Sequence, residues 1–295
     1  MDDPEFLQHG KEFLSDSRNK IKLHGLIAQR TRETFSLISN DVLPVDSGWS
    51  QDKFLERLKK YEDAISDLQT IGILISYWWM YDDCRNLLTL PAKQLASTLS
   101  STSGNTGLIA LRWYPILLLT YSSGIAAIAG GQYKNLYEIM HFETRDSSGR
   151  RSRVIKAIFE NLSNVVDTFK TIPGHERNRL PLSEYLFEFF QPKIDDLLFL
   201  GADYEIAFDE FEVLLALEHA HINQKEHNSI WGPPGRFTWK LRGGDEGSPL
   251  HRVIRQAENQ GKSWPPVQSG FFDNSIERFQ EIAKEYTGWV SQFGF

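Results

Sequence analysis

The sequence predicts an all-α fold: helical hairpins, arrayed or bundled, and one long irregular aromatic loop. Three observations predict it. Apolar residues recur at three- and four-residue spacing through most of the 295 residues. No alternation of strand and helix patterns occurs, which removes an α/β sheet. The most apolar stretch, WYPILLLTYSSGIAAIAGGQY at 113–133, carries the small residues Gly124, Ala127 and Gly131 at helical spacing.

Taken in order, residues about 5–15 and 18–40 predict two amphipathic helices, stopped by Asn40 and Pro44. Ser50 is placed to cap a long helix that aligns Phe54, Leu58, Tyr61, Ile65 and Leu68 on one face. Beyond Ile71 that helix is apolar all round, so its end is expected to be buried. A helix near 86–100 and a turn-rich break, SSTSGNTG, follow. Residues 107–141 then predict a nested helical hairpin. Its first helix is too short to cross a membrane: between Pro115 and Gly130 lie fourteen residues, about 21 Å of helix against roughly 30 Å of hydrocarbon. Its glycines lack the G-x-G-x-x-G spacing of a phosphate loop. Gly124, Ala127, Gly131, Tyr133 and Leu136 instead match about one tetratricopeptide unit.

Past a charged loop, TRDSSGRRS, helices are expected near 152–170 and 182–200, the second interrupted by Pro192. Residues 203–226 predict a strong amphipathic helix with Tyr204, Ala207, Phe208, Phe211, Leu214 and Leu215 on one face. Periodicity stops at 227–248, a long loop with room for a short hairpin. Helices near 249–260 and 273–290 close the chain, the last capped from Asp273 or Asn274. The expected organisation is one helical domain over 1–295: N-terminal helices to 48, a core at 49–226, the aromatic loop at 227–248 and C-terminal helices from 249.

Composition narrows the function. Hydrophobic residues make up 41% and charged residues 24%, enough for a packed core. A net charge of −7 argues against general nucleic-acid binding, which needs a basic face. The lone Cys84 rules out an internal disulfide and a multi-cysteine zinc site. The N-terminus, MDDPEFLQHG, is acidic and has no apolar run, so a cytoplasmic protein is expected. Its DPEF also reads like a cloning-site scar. No cofactor is implied.

Three constellations carry candidate chemistry. Glu138 with His141, and Glu218 with His221, form two E-x-x-H pairs, half the recipe of a di-iron carboxylate bundle. No Glu lies between Glu62 and Glu138 to complete the first pair. RNKIKLH places Arg18, Asn19 and His24 at the R-N-x4-H spacing of HEPN-type ribonucleases. There His24 would act as base on a 2′-hydroxyl and Arg18 would stabilise phosphate charge. In WGPPGRFTWKLR, the aromatics Trp231, Phe237 and Trp239 alternate with Arg236, Lys240 and Arg242. That mixture suits a stacked ring and its phosphate, and equally suits stapling the loop to the core.

Four stretches in order, LRWYPILLLTYSSGIAAIAGGQY, YEIAFDEFEVLLALEHAH, WGPPGRFTW and SGFFDNSIERFQEIAKEY, resemble the helical C-terminal region of large bacterial multidomain proteins of antiphage-defence type. Many of those carry an N-terminal sirtuin-like NADase or another effector domain. The resemblance spans about 107–295 and rests on structural motifs. It implies a non-catalytic sensor or interaction module with a protein partner or an effector domain absent from this sequence, since no glycine-rich nucleotide motif precedes residue 107. The binding residues expected on this reading are Trp231, Arg236, Phe237, Trp239 and Lys240, with a nucleotide as ligand. The competing reading is the ribonuclease.

Overall fold

Helix-forming periodicity is realised along nearly the whole chain in the computed structural model, which describes residues 4–46, 48–84, 87–99, 103–145, 151–243 and 247–292. Among these residues the fold is all-α: fourteen α-helices and one two-stranded ribbon. The chain divides into two compact units, Met1–Glu176 and Arg177–Phe295; the single domain read from the sequence spans both.

In the first unit the helices are α1 (Pro4–Leu14), α2 (Lys20–Ile38), α3 (Gln51–Trp78), α4 (Tyr81–Cys84), α5 (Leu90–Ser97), α6 (Thr106–Leu111), α7 (Tyr114–Ala129), α8 (Tyr133–His141) and α9 (Val154–Leu162). Helix α3 starts where Ser50 predicts, with Ser50 Oγ accepting from the Lys53 N–H at 3.2 Å. The forecast face, Phe54 to Leu68, is buried, and from Leu68 to Ser76 the helix is buried all round. Helix α7 runs along α3. The apolar stretch Thr106–Ala129 could cross a membrane by length and composition, but 89% of its most apolar 18-residue window is buried inside the protein. The close approach uses Gly72, whose missing Cβ leaves room for Ser123 Oγ, and Gly130, which abuts the Tyr77 backbone. Gly131, at φ 66°, turns α7 into α8. The Gln132 N–H bonds Ala127 O and the Gly131 N–H bonds Ile128 O, a Schellman closure. Asn135, fully buried, donates to Ser76 O at 3.3 Å and Trp79 O at 2.8 Å, fastening α8 to the end of α3.

Several boundaries differ from expectation. Helix α5 begins only at Leu90, where Pro91 presets the first turn. Helix α9 stops at Leu162, and Val166–Thr171 is a 3₁₀ turn; at the break the Ser163 hydroxyl donates to Glu160 O, competing with the backbone. A hairpin does exist, but it joins α8 to α9: β1 (Glu143–Arg145) pairs antiparallel with β2 (Arg151–Arg153). Residues 100–102 of the turn-rich break and 146–150 of the charged loop lie outside the described residues.

The second unit is built on α10 (Pro181–Leu198), α11 (Asp203–His227), α12 (Pro249–Gln260), the single turn α13 (Pro265–Gln268) and α14 (Ile276–Ser291). Helix α10 continues through Pro192, giving up one backbone bond rather than ending. Helix α11 is the axis of the unit, packed against α10, α12 and α14. Every residue from Ala207 to Asn223 is buried. The long loop holds a 3₁₀ segment, Arg236–Gly243, in place of the expected hairpin. The cap of α14 is Ser275, which accepts from the Arg278 N–H. Asp273 and Asn274 cannot serve because they lie in a left-handed turn with Phe272, at φ 54–60°.

Candidate functional site

Three buried groups anchor the aromatic loop. Glu212 of α11 is almost wholly inaccessible. Its carboxylate accepts from Ser183 Oγ at 2.7 and 3.0 Å and from the Arg236 backbone N–H at 2.9 Å. That N–H also reaches Ser183 Oγ at 2.8 Å. Gly235 is required beside this knot, since any Cβ there would collide with the Glu212 carboxylate; at Gly232 a Cβ would meet the Ala216 backbone oxygen.

From this anchor the predicted binding residues separate by direction. Phe237 is fully buried and belongs to the core. Trp231 is half-buried and packs edge-on against His219, ring centres 5.0 Å apart, while its carbonyl accepts from Asn223 Nδ2 at 2.9 Å. Arg236 is 7% exposed. Its guanidinium carbon sits 3.4 Å from the centre of the Phe187 ring, with Glu184 at 3.7 Å and Glu205 at 3.5 Å. Phe237 and Arg236 staple the loop to the core over α11, while Trp231 packs on that helix with part of its surface still accessible.

Trp239 and Lys240 face outward. Trp239 Nε1 donates to Glu184 Oε1 at 2.7 Å, which fixes the indole while leaving the residue 42% exposed. Lys240 Nζ bonds Glu205 Oε1 at 2.6 Å and Asp209 Oδ2 at 2.5 Å. Both line an open cleft of about 480 Å³, together with Ala202, Glu205, Ile206, Asp209 and the start of α12 from Gly247 to Arg252. The two carboxylates held by Lys240 respond oppositely. The Lys240 hydrogen bond holds exposed Glu205 below the usual carboxylate range, whereas burial pushes Asp209 above it. Arg252 lies near enough to Glu205 to lower it further, and its Nε and Nη2, like Nε and Nη1 of Arg236, are screened from solvent without a hydrogen-bond partner among the described residues. The Arg242 side chain and residues 244–246 lie outside the described residues.

Glu205, Asp209, Glu212 and Arg252 were not among the residues expected from sequence. A clue was present for the acidic ones: Asp209 and Glu212 interrupt an otherwise apolar run on a helix with no polar face, and a buried carboxylate needs a partner.

Each E-x-x-H pair of the di-iron reading is engaged with partners of its own. Glu138 and His141 lie in the first unit, Glu218 and His221 in the second. Glu138 pairs with Lys93 at 3.3 Å and His141 Nδ1 lies 2.8 Å from Tyr137 O. Glu218 accepts from the Phe272 N–H at 3.0 Å, holding the left-handed turn. His221 Nδ1 accepts from Arg278 Nε at 3.1 Å, and its Nε2 faces Asp273 at 3.4 Å. Among the described residues no group of three or more His, Cys, Asp or Glu is placed to hold a metal ion. For the ribonuclease triplet, the structure pairs exposed Arg18 with Asp16 at 2.7 Å, and His24 stands exposed on α2. Asn19, half-buried, is the residue that precedes α2. Cys84 is buried, its sulfur 3.4 Å from Asn135 Oδ1.

No protein-family model, curated protein or solved structure matches the chain.

Proposed function

We propose that this chain is a non-catalytic sensor or interaction module whose ligand is read by the open cleft of the second unit. One observation carries the reading: Trp239 is pinned by Glu184 at the mouth of that cleft with its ring still accessible. An indole held in place but not packed away is a ready stacking surface, because little side-chain freedom remains to be lost on binding. The cleft volume falls within the roughly 300–1,000 Å³ of small-ligand sites. The output of such a module is contact with a protein partner or an effector domain. Its setting in a cytoplasmic defence-type system belongs to the same proposal and rests on the resemblance of residues 107–295.

The test is a fluorescence titration with ring-bearing small molecules, nucleotides among them, run on the wild-type chain and on Trp239→Phe. Saturable quenching that weakens in the variant supports the reading. Silence across the panel, or quenching that the variant leaves intact, defeats it.

A further inference from the structure

The charges around the cleft of the second unit answer one another, and that balance constrains what the cleft can hold. Among the described residues lining it, the charged ones are Glu205, Asp209, Lys240 and Arg252, two of each sign. Lys240 Nζ bonds Glu205 Oε1 at 2.6 Å and also pairs with Asp209. Buried Arg236 reaches Glu205 Oε1 at 3.5 Å, and Arg252 acts on the same carboxylate through space. A charged ligand of either sign must therefore share a partner that is already engaged, which offsets much of what the contact gains.

One polar atom is left over. Lys240 and Arg236 both approach Oε1 of Glu205, while Oε2 has no hydrogen-bond partner among the described residues and belongs to a side chain that is 51% exposed. The Lys240 bond keeps this carboxyl ionised, so Oε2 can accept a hydrogen bond but not donate one. Lys240 Nζ stands 5.5 Å from the centre of the Trp239 ring and 2.6 Å from Glu205 Oε1, so the unengaged acceptor and the exposed indole share one end of the cleft. Ala202 and Ile206, both exposed, add apolar surface beside them.

We infer that the cleft takes an uncharged heteroaromatic ring bearing an N–H donor, its face on Trp239 and its N–H on Glu205 Oε2. This rests on the sensor reading above and deepens it by fixing the charge and the hydrogen-bonding sense of the ligand. Stacking on the held indole supplies the contact area, and the N–H···carboxylate bond supplies the orientation. A nucleobase or an indole without phosphate or carboxylate meets both requirements.

Calorimetric titration with two matched sets of probes tests this. Indole-3-acetamide, indole-3-acetate and tryptamine share a ring and differ in charge; adenosine and AMP repeat the comparison on a purine. Methylation removes the donor in 1-methylindole-3-acetamide and in N6,N6-dimethyladenosine. In at least one set the neutral compound is expected to bind about five-fold or more tightly than its charged counterparts. Methylation should weaken it about ten-fold or more, as for a hydrogen bond to a charged group. In Glu205→Ala the methylation penalty should vanish, and the anion should gain on the neutral compound because Lys240, Arg236 and Arg252 lose the carboxylate they share. Trp239→Ala should weaken every probe that binds. Circular dichroism establishes that each variant is folded, and the wild-type comparisons stand without the variants. If a charged probe binds as tightly as the neutral one, if methylation changes nothing, or if its penalty persists in Glu205→Ala, the assignment falls while the cleft remains a binding site. If no probe binds, or if Trp239→Ala changes nothing, the assignment falls together with the reading beneath it.

Discussion

Removing the Glu212 carboxylate should cost the second unit more stability than any other single polar deletion around the loop. In Glu212→Ala the Ser183 hydroxyl loses both oxygens it donates to, at 2.7 and 3.0 Å, and the Arg236 N–H loses one of its two acceptors. Hydrogen bonds to a charged group are each worth about 1.5–3 kcal/mol. The truncation also empties space beneath a loop that packs on this side chain. The expected loss is about 3–5 kcal/mol, the range found when a buried polar network is broken from one side. Glu212→Gln keeps the shape but turns one acceptor into a donor, so it should lose about 1–2 kcal/mol. Ser183→Ala should fall in the same range, and a double-mutant cycle of Ser183→Ala with Glu212→Ala should show coupling of about 1–2 kcal/mol. The assay is urea unfolding followed by tryptophan fluorescence; Trp231, Trp239, Trp264 and Trp289 all report from this unit. A Glu212→Ala midpoint within about 1 kcal/mol of wild type, at unchanged slope, would mean that the knot does not hold the loop.

Three further outcomes follow from the same geometry. Gly235→Ala should destabilise by about 1–3 kcal/mol through overpacking, and part of that loss should vanish in a Glu212→Ala background, where the colliding carboxylate is gone; additive losses in urea unfolding would contradict the steric argument. In the first unit, Asn135→Leu leaves the Ser76 and Trp79 carbonyls without their donor and should cost about 2–4 kcal/mol of thermal or urea stability; a neutral result would show that water replaces the amide. For pH, burial holds His221 below the usual histidine range despite Asp273 and Glu218 nearby. The unfolded chain therefore takes up the proton first, so this contribution is intact above about pH 6.5 and is lost as pH falls through the lower folded value. Lys225 holds Asp273 below the usual carboxylate range, which places a separate loss below about pH 4. Urea midpoints measured from pH 7.5 to 5 should decline in wild type and flatten in His221→Gln; parallel slopes would refute it.

The fold was legible where one face of a helix had to be apolar. The Phe54-to-Leu68 stripe, the Ser50 cap and the all-round burial past Ile71 follow from periodicity and capping alone. What periodicity could not carry was long-range pairing. Gly72 faces the Ser123 hydroxyl and Gly130 the Tyr77 backbone, and nothing local in the sequence marks either glycine as a contact point. Asn135 reads as a surface residue until α3 is seen ending beside it. The left-handed run Phe272–Asn274 displaced the expected cap because Glu218, fifty-four residues earlier in the chain, accepts the Phe272 N–H.

The site was legible only in part, for a reason that also bears on what it does. Alternating aromatic and cationic residues were expected to act together as a binding surface. Burial instead divides the segment along its length: Arg236, Phe237 and Thr238 are buried, while Trp239 is exposed and Lys240 half-buried. A loop meant only to cover α11 would be served by packing the second tryptophan as well. Instead Glu184 bonds both the indole N–H and, at longer range, Arg236, so the buried staple and the exposed ring share one carboxylate. The exposed ring is thereby fixed by the same charge that stabilises the interior. Substituting Glu184 by Ala removes the acceptor of the indole N–H and should free the ring, which time-resolved anisotropy of Trp239 would register as faster local motion. An unchanged decay would show that packing, rather than this carboxylate, orients the ring.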